Sequence, residues 1–155
     1  MFFLPRILAT PPRGAESQVT EGARVIESNE IATAAAWLAD QKKGLEIRVL
    51  DVREHIKVAD YFVIVTGTSR PHIRAIQQEI HVRLKAAGVT HGREEGGDLG
   101  WWVLMDYGDV IVHVMQPEAR EYYDLDGLYQ DATEVAWRAS AIPELPQTKQ
   151  RAVGG

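Results

Sequence analysis

The chain has 155 residues, 45% hydrophobic and 25% charged, which suits one globular domain with short extensions and excludes disordered or collagen-like classes. It has no cysteine, so disulfides, thiolate zinc sites, a cysteine nucleophile and thiol redox chemistry are excluded. A net charge of −5 argues against a surface built to clamp a phosphate backbone and for a basic protein as partner.

No apolar run reaches the roughly 20 residues needed to cross a bilayer. The opening stretch MFFLPRILATPPRG is apolar, then basic, and faintly resembles an organelle transit sequence; Pro5, Pro11, Pro12, Gly14 and Gly22 favour an unstructured extension instead. The expected organisation is an extension over 1–28, a domain over 29–140 and a tail over 141–155.

Ser28 or Asn29 can cap a helix whose apolar positions Ile31, Ala35 and Leu38 fall on one face, with Gly44 at its end where a left-handed residue is wanted. LEIRVLDV then alternates, Leu45, Ile47 and Val49 against Glu46 and Arg48, as in a half-covered strand. YFVIVT, residues 61–66, is continuous and rich in β-branched and aromatic residues, so it belongs at the centre of the sheet. After Gly67, Ser69 can cap a second helix with Pro71 in its first turn and Ile73, Ile76, Ile80, Leu84 and Ala87 in one stripe, stopping at Gly88. VTHGREEGGDLG reads as a strand end and a loop.

Residues 100–115, GWWVLMDYGDVIVHVM, read as a hairpin. With Tyr107 and Gly108 as the central turn residues, Asp106 faces Asp109, Leu104 faces Ile111, Trp102 faces His113 and Trp101 faces Val114. One face then carries Trp101, Val103, Met105, Val110, Val112 and Val114. The other carries Trp102, Leu104, Ile111, His113 and the two Asp residues. Either helices cover this second face and Trp102 is core, or it lies open as an interface; facing Asp side chains favour the open reading, because like charges need water or a cation. A helical turn from Pro117 and a weakly periodic stretch from Leu125 to Ala139 complete the chain, with a polar tail after Pro143. The order suits a mixed sheet with helices packed on it, an α/β or α+β class.

Signals of catalysis are sparse. The histidines at 55, 72, 81, 91 and 113 show no metal-helix spacing, and Gly67-Thr68-Ser69 lacks the Walker pattern, so a turn and a cap explain it. Asp124 and Asp126 have the spacing of a carboxylate pair but point apart on a helix. No metal or cofactor is expected.

Four ordered blocks carry a resemblance: ADYFVIVTGTSRPHIRAI (59–76), EG (95–96), WVLMDYGDVIVHV (102–114) and REYYDLDGLY (120–129). They resemble the ribosomal silencing factors, also called Iojap-like proteins. The resemblance implies a nucleotidyltransferase-like fold without that activity, and residues 77–81 supply only Glu79 where such enzymes place an acid pair. It further implies binding to ribosomal protein fourteen of the large subunit, so that the small subunit is sterically kept off and translation is damped when nutrients are scarce. Trp102, Leu104, Met105, Asp106, Tyr107 and Asp109 would make that contact, with Ser69, His113, Arg120 and Tyr123 supporting it. Members of the family also form homodimers, and no residue pattern here marks such a surface. Cytoplasmic location, no membrane and no principal contact with nucleic acid complete the expectation. The alternatives are a nucleotide-binding or nucleotidyl-transferring enzyme built on the GTS turn, and a large-subunit assembly factor using the same surface.

Overall fold

The computed structural model describes residues 26–145; most of the expected N-terminal extension, and the tail beyond 145, lie outside the described residues. The first helix, α1 (Ser28–Gln41), is capped by Glu27 rather than by Ser28 or Asn29, and the Glu27 N–H donates to the Glu30 carboxylate at 3.0 Å. Ser28 is turned instead to Asp60, 3.2 Å away. The helix buries Ile31, Ala35 and Leu38 as the spacing requires, and four further alanines let it lie close to the sheet.

The left-handed residue after α1 is Lys43 (φ 65), not Gly44. Gly44 is needed for space: a Cβ there would stand 2.7 Å from Val65 Cγ1 and 3.0 Å from the Ala39 carbonyl oxygen. Strand β1 (Leu45–Asp51) is bulged between Leu45 and Arg48, with Glu46 at φ 47, so its simple alternation fails at the start. Beyond the bulge Val49 and Leu50 are both buried, on opposite faces, because helices cover this strand on one side and loop residues on the other.

Strand β2 (Tyr61–Thr66) is buried throughout and pairs with two neighbours, as its composition demands. Helix α2 (Arg70–Ala86) is capped by Ser69, whose Oγ accepts the His72 N–H at 3.2 Å, and it buries Ile73, Ile76, Ile80 and Leu84. Then come β3 (Arg93–Glu95), β4 (Trp102–Asp106), β5 (Val110–Met115), α3 (Pro117–Tyr123), α4 (Leu125–Leu128) and β6 (Thr133–Val135). A single 3₁₀ turn follows at Trp137–Ala139. The periodic stretch expected to be helical is thus short α4 followed by an edge strand; the run Thr133-Glu134-Val135 pairs with β1 across Thr133↔Asp51 and Val135↔Val49.

The six strands run in the order β3-β4-β5-β2-β1-β6, with only β2 and β5 parallel. A mixed α/β sheet results, with a core on each face. On one face α1 and α2 cover Val49, Val63, Val65, Val103, Met105, Val112 and Val114; on the other, α3, α4 and the segment around Val52–Ala59 cover Leu50, Phe62, Ile64, Trp102, Leu104, Ile111 and Met115. Leu145, near the end of the described chain, packs on the first core.

Candidate functional site

The hairpin bends one residue later than its sequence suggested. Gly108 (φ 89) and Asp109 are the central residues, and the Tyr107 N–H donates to the Val110 carbonyl at 2.8 Å. Positive φ at the first central position and not at the second is the II′ arrangement, which glycine adopts without penalty and tyrosine does not. The pairing becomes Asp106↔Ile111, Leu104↔His113 and Trp102↔Met115, so the proposed Asp106–Asp109 pair across the strands does not form. Asp106 is buried and builds the turn: its Oδ1 accepts the Gly108 N–H at 2.8 Å and Oδ2 lies 3.6 Å from Arg93 Nη2. Asp109 is exposed at the tip, and its carbonyl accepts N–H bonds from Asp60 and Tyr61 at 2.7 and 3.1 Å, tying the tip to the start of β2.

The strand faces were read correctly, but the second face is not open. Trp102 is 4% exposed and Leu104 and Met105 are fully buried, because α3 and α4 close over the side on which Trp102 and Leu104 lie. Trp101 also departs from expectation: it precedes β4 and joins this second cluster rather than the first, with its ring 5.9 Å from that of Tyr123. One polar side chain, His113, is sealed in with them. Trp102 Nε1–H donates to His113 Nδ1 at 3.1 Å, a diagonal contact across the ladder, which leaves the proton of a neutral imidazole on Nε2. Nε2 has no hydrogen-bond partner among the described residues, and the Phe62 ring meets the imidazole edge-on at 4.7 Å. Burial lowers the His113 pKa to about 3.

Arg120 holds the far end of this layer. Its guanidinium donates to the Glu46 carbonyl (2.6 Å), to Thr66 Oγ1 (2.9 Å) and, through a fork, to both Asp126 oxygens (2.9 and 3.0 Å). Arg48 adds a bond to Asp126 at 2.7 Å and one to Glu134 at 2.9 Å. Burial pushes the Asp126 carboxyl upward, but the hydrogen bonds from Arg120 and Arg48 outweigh it and hold the pKa at about 2. The network floors an open cleft of about 480 Å³ beside Glu46, Pro117, Glu121 and Asp124. Its cations are engaged with protein oxygens, so Arg120 acts as a strut between α3, β1 and β2. Tyr123 lies beneath it in sequence and against Trp102 in space, with ring centroids 4.5 Å apart.

Of the expected contact residues, then, Asp109 is exposed and Tyr107 is half-buried, its ring packed on the first core and its hydroxyl sealed from solvent, while Trp102, Leu104, Met105 and Asp106 lie within. A family model described as "Ribosomal silencing factor during starvation" matches residues 25–153. The chain belongs to the ribosomal silencing factor family. It is similar to "Ribosomal silencing factor RsfS" of Chromobacterium violaceum, 38% identical over 104 residues, covering 67% of this chain and 85% of the relative. It is also similar to mouse "Mitochondrial assembly of ribosomal large subunit protein 1", 34% identical over 95 residues, covering 59% of this chain and 42% of that protein. A crystal structure of a Chromobacterium violaceum protein superposes with a TM-score of 0.65 at 34% identity, covering 83% of this chain and 94% of that one.

In this silencing-factor chain the GTS turn is occupied by its own residues. The Thr68 N–H donates to His72 Nδ1 at 2.9 Å, Ser69 Oγ takes the His72 N–H, and His72 Nε2 is 2.8 Å from the Lys42 carbonyl. Two of the backbone donors at this helix start, the Thr68 and His72 N–H groups, are therefore already engaged. Glu79, the single acid of residues 77–81, lies 3.3 Å from Arg83 and 4.0 Å from Lys42. No helix among the described residues is long and apolar enough to cross a membrane.

Proposed function

We propose that this protein silences the ribosome by binding ribosomal protein fourteen of the large subunit and sterically blocking arrival of the small subunit, so that translation falls under nutrient limitation. Family membership over most of the chain is the observation that carries the reading. The contact is assigned to the hairpin tip, with Asp109 facing the partner and half-buried Tyr107 anchoring the tip to the first core. Buried Trp102, Leu104 and Met105 hold the strand that carries the tip, and Asp106 shapes its turn. Ser69, His113, Arg120 and Tyr123 act at one remove, fixing the elements around it. An acidic tip suits the basic surface usual in ribosomal proteins. Occupying the surface suffices, so the protein is not an enzyme, takes no cofactor and works in the cytoplasm. Charge reversal by Asp109→Lys should weaken co-sedimentation with purified large subunits at least tenfold while circular dichroism stays native; unchanged binding would reject the tip as the contact. Calorimetry with nucleotides and Mg²⁺ tests the rival enzyme reading, and binding that disappears in Ser69→Ala would revive it.

The name of the mouse relative favours a second reading, action during large-subunit assembly. Accumulation of precursor particles in a deletion strain, with mature subunits joining normally, would support it over silencing.

A further inference from the structure

At the opposite end of β4 from the tip, roughly 20 Å away at ~3.4 Å per strand residue, lies a surface that the tip assignment does not use. Tyr122 is 57% exposed and half-buried Trp101 and Tyr123 join it, while Leu99, 59% exposed, lies two residues before Trp101 in the chain. The rings are continuous: Trp101 to Tyr123 is 5.9 Å between centroids and Tyr123 to Tyr122 is 4.9 Å. Large apolar groups left in water as a contiguous patch mark interaction sites more often than scattered ones do.

Looseness does not account for the exposure of Leu99. Gly100 stands at φ 64, and a Cβ there would come 2.9 Å from Arg70 Cγ, so the Arg70 side chain lies directly over it. Arg70 Nη2 donates to the Asp98 carbonyl at 2.6 Å, the Gly100 N–H to the Gly96 carbonyl at 3.0 Å, and Gln116 Nε2 to the Gly100 carbonyl at 2.8 Å. The Gln116 N–H closes the base on the Trp101 carbonyl at 2.9 Å. A loop fixed by these bonds holds its leucine outward in advance, which lowers the ordering cost of binding.

The margin of the patch carries three acids against one base, Arg70, whose guanidinium is taken up by the Asp98 carbonyl. Asp98 precedes Leu99, Glu118 lies one turn before Tyr122 on α3, Glu121 adjoins it, and all three are exposed. We infer that the Leu99–Trp101–Tyr122–Tyr123 shelf is a docking surface for a basic polypeptide, which lays arginine or lysine side chains over the aromatic rings and against these carboxylates. Such rings and carboxylates together suit guanidinium and ammonium groups. A second copy of this chain is a poorer occupant, because an isologous contact would bring one acidic margin against its twin. Resting on the silencing reading, the shelf becomes a second hold on the large subunit's basic protein surface, and two grips set far apart fix orientation better than a tip alone.

The test compares the wild-type full chain, the double variant Leu99→Asp/Tyr122→Ala and the tip variant Asp109→Lys in co-sedimentation with purified large subunits at two salt concentrations. The altered side chains are exposed, so circular dichroism should stay native. The expected result is at least a tenfold loss for the shelf variant, with wild-type binding that weakens as salt rises. Loss in the tip variant with none in the shelf variant would overturn the shelf and leave silencing intact. Failure of the wild type to bind at all would reject both. A wild-type dimer in light scattering that Leu99→Asp/Tyr122→Ala dissociates, with subunit binding unchanged, would assign the shelf to a second copy and overturn the inference.

Discussion

Acid should unfold this protein through His113. Its imidazole titrates at about 3 in the folded protein, against 6.5 for an ordinary histidine, because burial penalises the cation. Below pH 6.5 the unfolded chain binds a proton that the folded chain refuses, so stability falls as pH falls, at up to ~1.4 kcal/mol per pH unit, until the folded pKa is reached. Between pH 7.5 and 5 the loss from this group comes to about 2 kcal/mol, a sizeable part of the ~5–15 kcal/mol that holds a domain together. The comparison protein is Trp102→Phe/His113→Leu, which removes the donor and the acceptor together and leaves neither as a buried orphan. Urea unfolding followed by circular dichroism at the two pH values gives the two differences, and other titrating groups are common to both proteins. The wild type should lose about 2 kcal/mol more than the variant. Equal losses would refute the buried neutral imidazole.

Trp102→Ala should cost about 3–5 kcal/mol in urea unfolding, as expected for emptying a core site, whereas a surface tryptophan would cost almost nothing. Gly108→Ala has open space for its methyl group, so its cost of about 1–2 kcal/mol should come from positive φ alone, and Gly108→Asn should recover part of it in the same assay. Gly44→Ala should cost about 1–3 kcal/mol by overpacking, and Val65→Ala in the same chain should relieve it; additive losses would contradict that contact. Arg120→Met strips donors from Glu46, Thr66 and Asp126 at once and should cost about 3–5 kcal/mol, read as a fall in melting temperature.

Much of the architecture follows from residue spacing. The apolar stripe of Ile73, Ile76, Ile80 and Leu84 defines α2, and the unbroken YFVIVT run puts β2 at the sheet centre, because each pattern fits one repeat of backbone geometry. Period-2 alternation likewise separated Trp102 and Leu104 from Val103 and Met105. The hairpin register was legible too: glycine at the first central position of a two-residue turn points to Gly108-Asp109, a signal overlooked by centring on Tyr107-Gly108. Other features have weak local marks. Strand β6 is three residues long and exists because β1 offers it an edge, and Gly44 is set by how closely Val65 approaches.

Alternation assigns a side chain to a face without saying what lies over that face. Covering Trp102 depends on α3 and α4 folding back from the end of β5 and on Arg120 reaching Glu46, 74 positions away in the chain. The same fold-back leaves Tyr122 outside and brings Tyr123 against Trp101 and Tyr122. Which tryptophan is core and which is surface was therefore decided by contacts between distant segments, since burial is a property of the assembled layers and not of any one strand.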